Sequence, residues 1–222
     1  MSMFCFQCQE TFKNHGCTVR GVCGKTDDVA NLQDTLIFAL KGMVNYSSQL
    51  RKVKKVSDEI NGFLFKALFS TITNANFDAD DMVEDIKKAV EYRKSIKAEL
   101  EKEGVALDPK FEGKPLTTWE FTTKEGAEQL APTVGVLRTE NEDVRSLREI
   151  ILYGLKGTAA YGFHAFNLGK ESEDLYAFYE KALLATEDES LSAEELTNLV
   201  FDTGKHGVDV MALLDEANTR TF

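Results

Sequence analysis

From Asn31 onward the chain repeats apolar residues at helical spacing. Leu32, Leu36, Leu40 and Val44 form one stripe, and Ile60, Phe63, Leu64, Ala67 and Leu68 form a second. Val83, Ile86, Ala89 and Val90 make a third. Asp78 and Asp80 stand at its beginning, where carboxylates favour a helix start, and Gly104 stands where a helix should stop. The opposite faces, as in DDMVEDIKKAVEYRKSIKAELEKEG, are rich in Lys and Glu, the signature of a solvated helix surface. Residues 104–142 break the pattern: they hold all three prolines (Pro109, Pro115, Pro132) and the only tryptophan. They predict an ordered crossover with a short strand or two around Trp119–Thr122, and Trp119 filling a gap between helices.

The helical pattern then returns as a copy of itself. NLQDTLIFALKGMVNY (31–46) aligns without gaps on SLREIILYGLKGTAAY (146–161), an offset of 115 residues. Leu32/Leu147, Leu40/Leu155, Lys41/Lys156, Gly42/Gly157 and Tyr46/Tyr161 are identical. The same offset pairs EINGFLFKALFST with DLYAFYEKALLAT, and FDADDMVEDI resembles LSAEELTNLV one residue out of step. Ser192 followed by Glu195 is a capping box. The sequence therefore predicts an all-α fold: two duplicated three-helix bundles behind an N-terminal cysteine-rich cluster-binding loop segment. The divisions are 1–30 for the cysteine segment, 31–104 and 143–222 for the bundles, and 105–142 for the crossover. Glycine inside a helix costs about 1 kcal/mol against alanine, so Gly42 and Gly157 predict close approach of another helix or loop. Lys41 and Lys156 are expected on a solvated face.

Charge and cysteine placement change this picture most. Asp and Glu number 37 against 26 Lys and Arg, a net charge of −11, which argues against a nucleic-acid partner. No run approaches the roughly 18 apolar residues of a membrane span, and MSMFCFQCQE is not a secretory signal, so a cytoplasmic location is expected. Yet the first 25 residues carry +2, from Lys13, Arg20 and Lys25 against Glu10, and contain all four cysteines. These are Cys5, Cys8, Cys17 and Cys23, spaced C-x2-C-x8-C-x5-C.

Four thiolates this close in sequence can converge on one soft metal centre. Gly16, Gly21 and Gly24 flank the later thiols and permit tight turns whose amides point at sulfur. Two disulfides would need an oxidising compartment. A zinc site built from four cysteines usually brings two CxxC knuckles, and one is present here. A cubane [4Fe-4S] cluster tolerates the uneven spacing best, with [2Fe-2S] or zinc as alternatives. Its net charge of about −2 would be balanced by the local +2.

The remaining polar residues carry ordinary readings. His15 lies in the cysteine loop as a solvated neighbour, His164 is expected in a packed or hydrogen-bonded position, and His206 near the last helix in a surface role. Asp80-Asp81, Glu194-Glu195 and Asp215-Glu216 suit capping or solvated positions. Phosphate loops and G-x-S-x-G elbows are absent.

MFCFQCQET, GCTVRGVCGK and NLQDTLIFALKG together resemble the amino terminus of the hybrid cluster proteins, also called prismane proteins or hydroxylamine reductases. The resemblance continues through ALFSTITNANFD, NEDVRSLREIILYGLKGTAAYGFHA and MALLDEANT, so it spans the chain. It implies a first domain of two three-helix bundles, with Cys5, Cys8, Cys17 and Cys23 as ligands of a cubane cluster. It also implies a catalytic hybrid cluster, bound by one His, two Glu and four further Cys in later domains. There is no fifth cysteine here, so that cluster is not expected from this chain. The family reaction is reduction of hydroxylamine to ammonia, with nitric oxide reduction as a competing assignment. This chain alone is expected to be inactive: an electron-transfer domain, excised or naturally shortened, whose partners are the remaining domains and an unidentified electron donor. The contrasting reading is a zinc-stapled helical interaction module presenting Phe63, Phe69, Phe178 and Leu184.

Overall fold

The computed structural model describes residues 2–221 and is all-α, with helices following one another as the periodicity predicts. After the cysteine segment come α1 (Asp27–Leu50), α2 (Asp58–Ser70) and α3 (Ala79–Glu103). The crossover holds α4 (Pro115–Thr118) and α5 (Lys124–Val134), and the second copy supplies α6 (Glu142–Asn167), α7 (Glu173–Ala185) and α8 (Ala193–Thr221).

Helix ends follow local chemistry. Ser57, Asp78, Thr123, Asn141 and Ser172 each accept a hydrogen bond from a first-turn amide, satisfying donors that have no partner within the helix. Ser192 and Glu195 form the reciprocal box, with N–H donors at 2.8 and 3.2 Å. Gly104 closes α3 at φ 66°, a left-handed position that favours glycine.

The duplication is visible in three dimensions, and the copies interlock. α1 packs along α3 and α6 along α8, but the short middle helices cross over, α2 lying chiefly against α6 and α7 against α1. One continuous apolar core results, running from Leu32, Leu40 and Leu64 to Leu155, Tyr176 and Leu183. Phe63 and Phe178 belong to this core, so they present no free surface.

The crossover departs from expectation. Among the described residues no strand forms around Trp119–Thr122; the next element is α5, with Pro132 inside it. Ala127 and Ala131 of α5 are buried, and Thr35 donates to the Ala127 carbonyl at 2.7 Å, so tertiary contact with α1 holds this helix despite the proline. Trp119 packs edge-on against Phe38, 6.2 Å between centroids. The crossover lies over α1 at Gly42, where an added Cβ would collide with the Leu116 carbonyl. Arg93 donates to that same carbonyl at 3.1 Å. Consequently only Asp27, Asp28, Asp34 and Ser48 of α1 escape full burial. Gly157, the counterpart of Gly42, faces open space, contrary to the expected close approach.

Candidate metal centre

The cysteine segment folds back on itself before α1. Cys5 and Cys17 face each other across a short antiparallel bridge and exchange backbone hydrogen bonds at 3.0 and 2.8 Å. Met3, Cys17 and Ala30 pack together, tying this segment to the first turn of α1. Thr11 donates its hydroxyl to the Cys5 carbonyl at 3.2 Å, and its amide donates to the Cys8 carbonyl at 3.2 Å. Lys13 and Asn14 then turn with positive φ, so the chain can reverse into Gly16 and Cys17. A second tight turn, closed by the Gly21 amide on the Lys25 carbonyl at 2.8 Å, carries exposed Cys23.

All four thiols are free. Among the described residues no three Cys, His, Asp or Glu side chains are drawn into one metal-holding group, so the cysteines share a loop system without forming a closed ligand set. The donor chemistry nevertheless fits a thiolate-bound group. Burial works to raise the Cys17 thiol, but the backbone amides of Phe12 and Val22 and the neighbouring Thr11 side chain favour the thiolate, and the net displacement is downward. Burial dominates at Cys5 and pushes its thiol up, opposed by Lys25 and the Gln7 amide. N–H groups directed at sulfur are what a negatively charged thiolate centre requires.

Beneath this segment lies a group of charges that the helical pattern did not reveal. Lys156, expected on a solvated face, is buried. Burial lowers its pKa, against the pull of Glu149 and Asp34. Burial likewise raises the carboxyls of Asp34 and Glu149, while Lys156 opposes it in both. A cavity of about 30 Å³, room for about one water, is lined by Gln7, Asp34, Lys41, Arg138, Glu149 and Lys156. Glu149 Oε2 and the Tyr153 hydroxyl are buried and lack a hydrogen-bond partner. Lys41 is buried as well, bound to Glu187 at 2.8 Å, and Arg138 reaches the same carboxylate at 2.7 Å. The missed signal was the duplication itself: Asp34/Glu149 and Lys41/Lys156 are equivalent positions.

Lys25 donates to Gln33 at 2.6 Å inside the protein, and Phe6 meets the Tyr153 ring edge-on at 6.1 Å. Thus α1 and α6 jointly support the thiol-bearing loop. His15 is exposed in that loop. His164 is exposed too, contrary to the packed position expected, with its ring 6.2 Å from that of Phe69. His206 stacks on Phe178 at 3.5 Å, away from any cysteine.

These features define a class: a duplicated all-α domain with a thiol-rich, metal-suited head mounted on buried charge. A profile of the Prismane/CO dehydrogenase family matches residues 3–222, and the chain belongs to that family. It is similar to the hydroxylamine reductases of Thermoanaerobacter pseudethanolicus (51% identical), Desulfitobacterium hafniense (52%) and Clostridium novyi (53%). Each match covers 100% of this chain and 40% of the relative's length. No helix among the described residues is long and apolar enough to cross a membrane.

Proposed function

We propose that this chain is the electron-transfer domain of a hydroxylamine reductase-like protein, holding a [4Fe-4S] cluster on Cys5, Cys8, Cys17 and Cys23. When bound, the cluster would supply one-electron transfer between an external donor and a catalytic centre housed in further domains. The observation that carries this reading is the placement of four free thiols on one folded-back loop, with Cys5 and Cys17 held opposite each other by backbone hydrogen bonds at 3.0 and 2.8 Å. Lys25 and Lys156 both favour the Cys5 thiolate through space.

The family reaction, hydroxylamine to ammonia or a nitric oxide reduction, belongs to the longer polypeptide. All four cysteines of this chain are assigned to one cluster, leaving none to ligate a second. The proposed setting is cytoplasmic, with the remaining domains and a one-electron donor as partners.

The test is iron, zinc and acid-labile sulfide per chain, measured on protein purified without oxygen. About four iron and four sulfide support the reading. Two of each keep electron transfer and change the cluster to [2Fe-2S]. Stoichiometric zinc without sulfide, with iron reconstitution also failing, would replace it by the zinc-stapled interaction module. Hydroxylamine turnover by these 222 residues with a chemical reductant would overturn the division of labour.

A further inference from the structure

The duplication provides an internal control for surface exposure. In the first copy, the crossover lies over the outer side of the α1–α3 seam. Leu116 places its carbonyl on Gly42, and Arg93 of α3 grips that carbonyl and Glu120. In the second copy nothing among the described residues takes that place. Tyr46 is 6% exposed, whereas its counterpart Tyr161 is 45% exposed. Thr35 is 0% exposed and its counterpart Ile150 is 50% exposed. Gly157 has no atom within 4 Å of an added Cβ.

The facing helix shows the same opening with altered chemistry. Phe201, Val208 and Met211 of α8 are 72%, 69% and 47% exposed, and Gly204 lies between them with open space above it. Their spacing, i, i+3, i+7 and i+10, places them in one stripe. Gly154 against Thr203, and Gly207 against Thr158, fix the α6–α8 seam that this stripe borders. Ile150, Gly157 and Tyr161 border it from α6. Arg93 and Lys94, the polar grips of the first copy, correspond to Gly207 and Val208 in the second. The second seam is therefore flatter and more apolar than the first, and suits an apolar occupant.

We infer that the outer α6–α8 seam is an interdomain docking surface. Its occupant is an apolar segment from the part of the full-length polypeptide that this chain lacks, seated over Gly157 as Leu116 is seated over Gly42. The inference rests on the reading of this chain as one domain of a longer protein, and the relatives, of which it spans 40%, supply the length required. Charged residues would serve better than Phe201, Val208 and Met211 if this stripe faced water permanently.

The experiment uses the complete gene product, with benzoylphenylalanine introduced at Phe201 and, as a control on another surface, at Val53, which is 54% exposed. After irradiation, peptide mapping should find the Phe201 probe joined to a segment beyond residue 222 of the same polypeptide, and the Val53 probe unattached. Hydrogen exchange supplies a second readout. Gly157→Trp should at least double exchange rates along α6 and α8 in the complete protein and leave α1 and α3 unchanged. A Phe201 crosslink to a second copy, or to nothing, would overturn the docking surface, as would unchanged exchange in Gly157→Trp. A native gene product that itself ends at Phe222 would instead refute the longer-protein reading on which the inference stands. Neither readout depends on iron content, so loss of the cluster would leave both interpretable.

Discussion

The twin glycines allow one perturbation to be run twice in a single molecule. Gly42→Ala and Gly157→Ala make the same chemical change at equivalent positions of α1 and α6. Alanine inside a helix is favoured over glycine by about 1 kcal/mol. At Gly157 an added Cβ meets nothing, so this gain should stand, and the variant should be about 0.5–1 kcal/mol more stable. At Gly42 the Cβ collides with the Leu116 carbonyl, which is backbone and is held by Arg93 at 3.1 Å, while the Arg93 stem lies 3.5 Å from the added atom. The crossover must shift, and overpacking of this kind costs about 1–3 kcal/mol. Subtracting the propensity gain leaves Gly42→Ala destabilised by about 0–2 kcal/mol. The two variants should thus differ by about 2 kcal/mol, or roughly 4–8 °C in Tm for a chain of this size. Urea melts followed by circular dichroism, with equal m-values confirmed, measure the difference. If both variants shift in the same direction and agree within about 0.5 kcal/mol, the crossover does not press on Gly42 and the reasoning is wrong.

Lys41→Met should cost about 3 kcal/mol in urea unfolding, because buried Glu187 loses its 2.8 Å partner; retention of Arg138 at 2.7 Å keeps the loss from being larger. Thr35→Val removes the donor to the Ala127 carbonyl and should cost about 1–2 kcal/mol, with trypsin cleavage at Lys124 accelerated as α5 loosens. Asp188 gives a pH prediction: burial works to raise its pKa, but Lys110 at 2.6 Å and the Ser190 hydroxyl and amide hold it at about 2. A depressed carboxyl stabilises the fold above its unfolded pKa of about 3.9 and ceases to do so as pH falls through the folded value. Stability should therefore fall between about pH 4 and 2, and Asp188→Asn should flatten that part of a denaturation-against-pH curve. Finally, Cys17→Ser should reduce bound iron more than fivefold by elemental analysis while leaving helical circular dichroism intact, since the helices share a separate core.

Helix content and the copy number of the repeat were readable from spacing because both rest on local chemistry. The offset of 115 carries α2 (Asp58–Ser70) onto α7 (Glu173–Ala185), and the Ser192–Glu195 box caps α8 as its side chains require. Of the site, the sequence showed which residue types lie close along the chain: Cys5, Cys8, Cys17 and Cys23 do sit on one loop system. Spacing did not show that Cys5 would pair with Cys17 through backbone hydrogen bonds, because that register depends on the Lys13–Asn14 reversal. α5 was hidden by Pro132, which signals a break locally but is outweighed by contact with α1. Lys156 was hidden for the opposite reason. Nothing local distinguishes a lysine on a solvated face from one enclosed by a carboxylate on another helix, and Asp34 is more than a hundred residues away.

That enclosed charge links the fold to the thiol head. Asp34 and Lys41 are seven residues apart on α1, as Glu149 and Lys156 are on α6, so each copy brings one carboxylate and one lysine to the same helix face. The copies are chemically alike but their partners have diverged. Lys41 is paired with Glu187, whereas Lys156 interacts with Asp34 and Glu149 and acts on Cys5. Burying such groups costs several kcal/mol per ion, and a hydrophobic replacement would often be the more stable choice. A neutral side chain in place of Lys156 alone would leave Cys5 with burial opposed by Lys25 and the Gln7 amide, while Asp34 pushes in the same direction as burial. Lys156 counters that burial from behind, as the Phe12 and Val22 amides do for Cys17 from the loop itself. Of two lysines at equivalent positions, Lys156 thus acts on a thiol of the head, while Lys41 forms a structural salt bridge within the helical body.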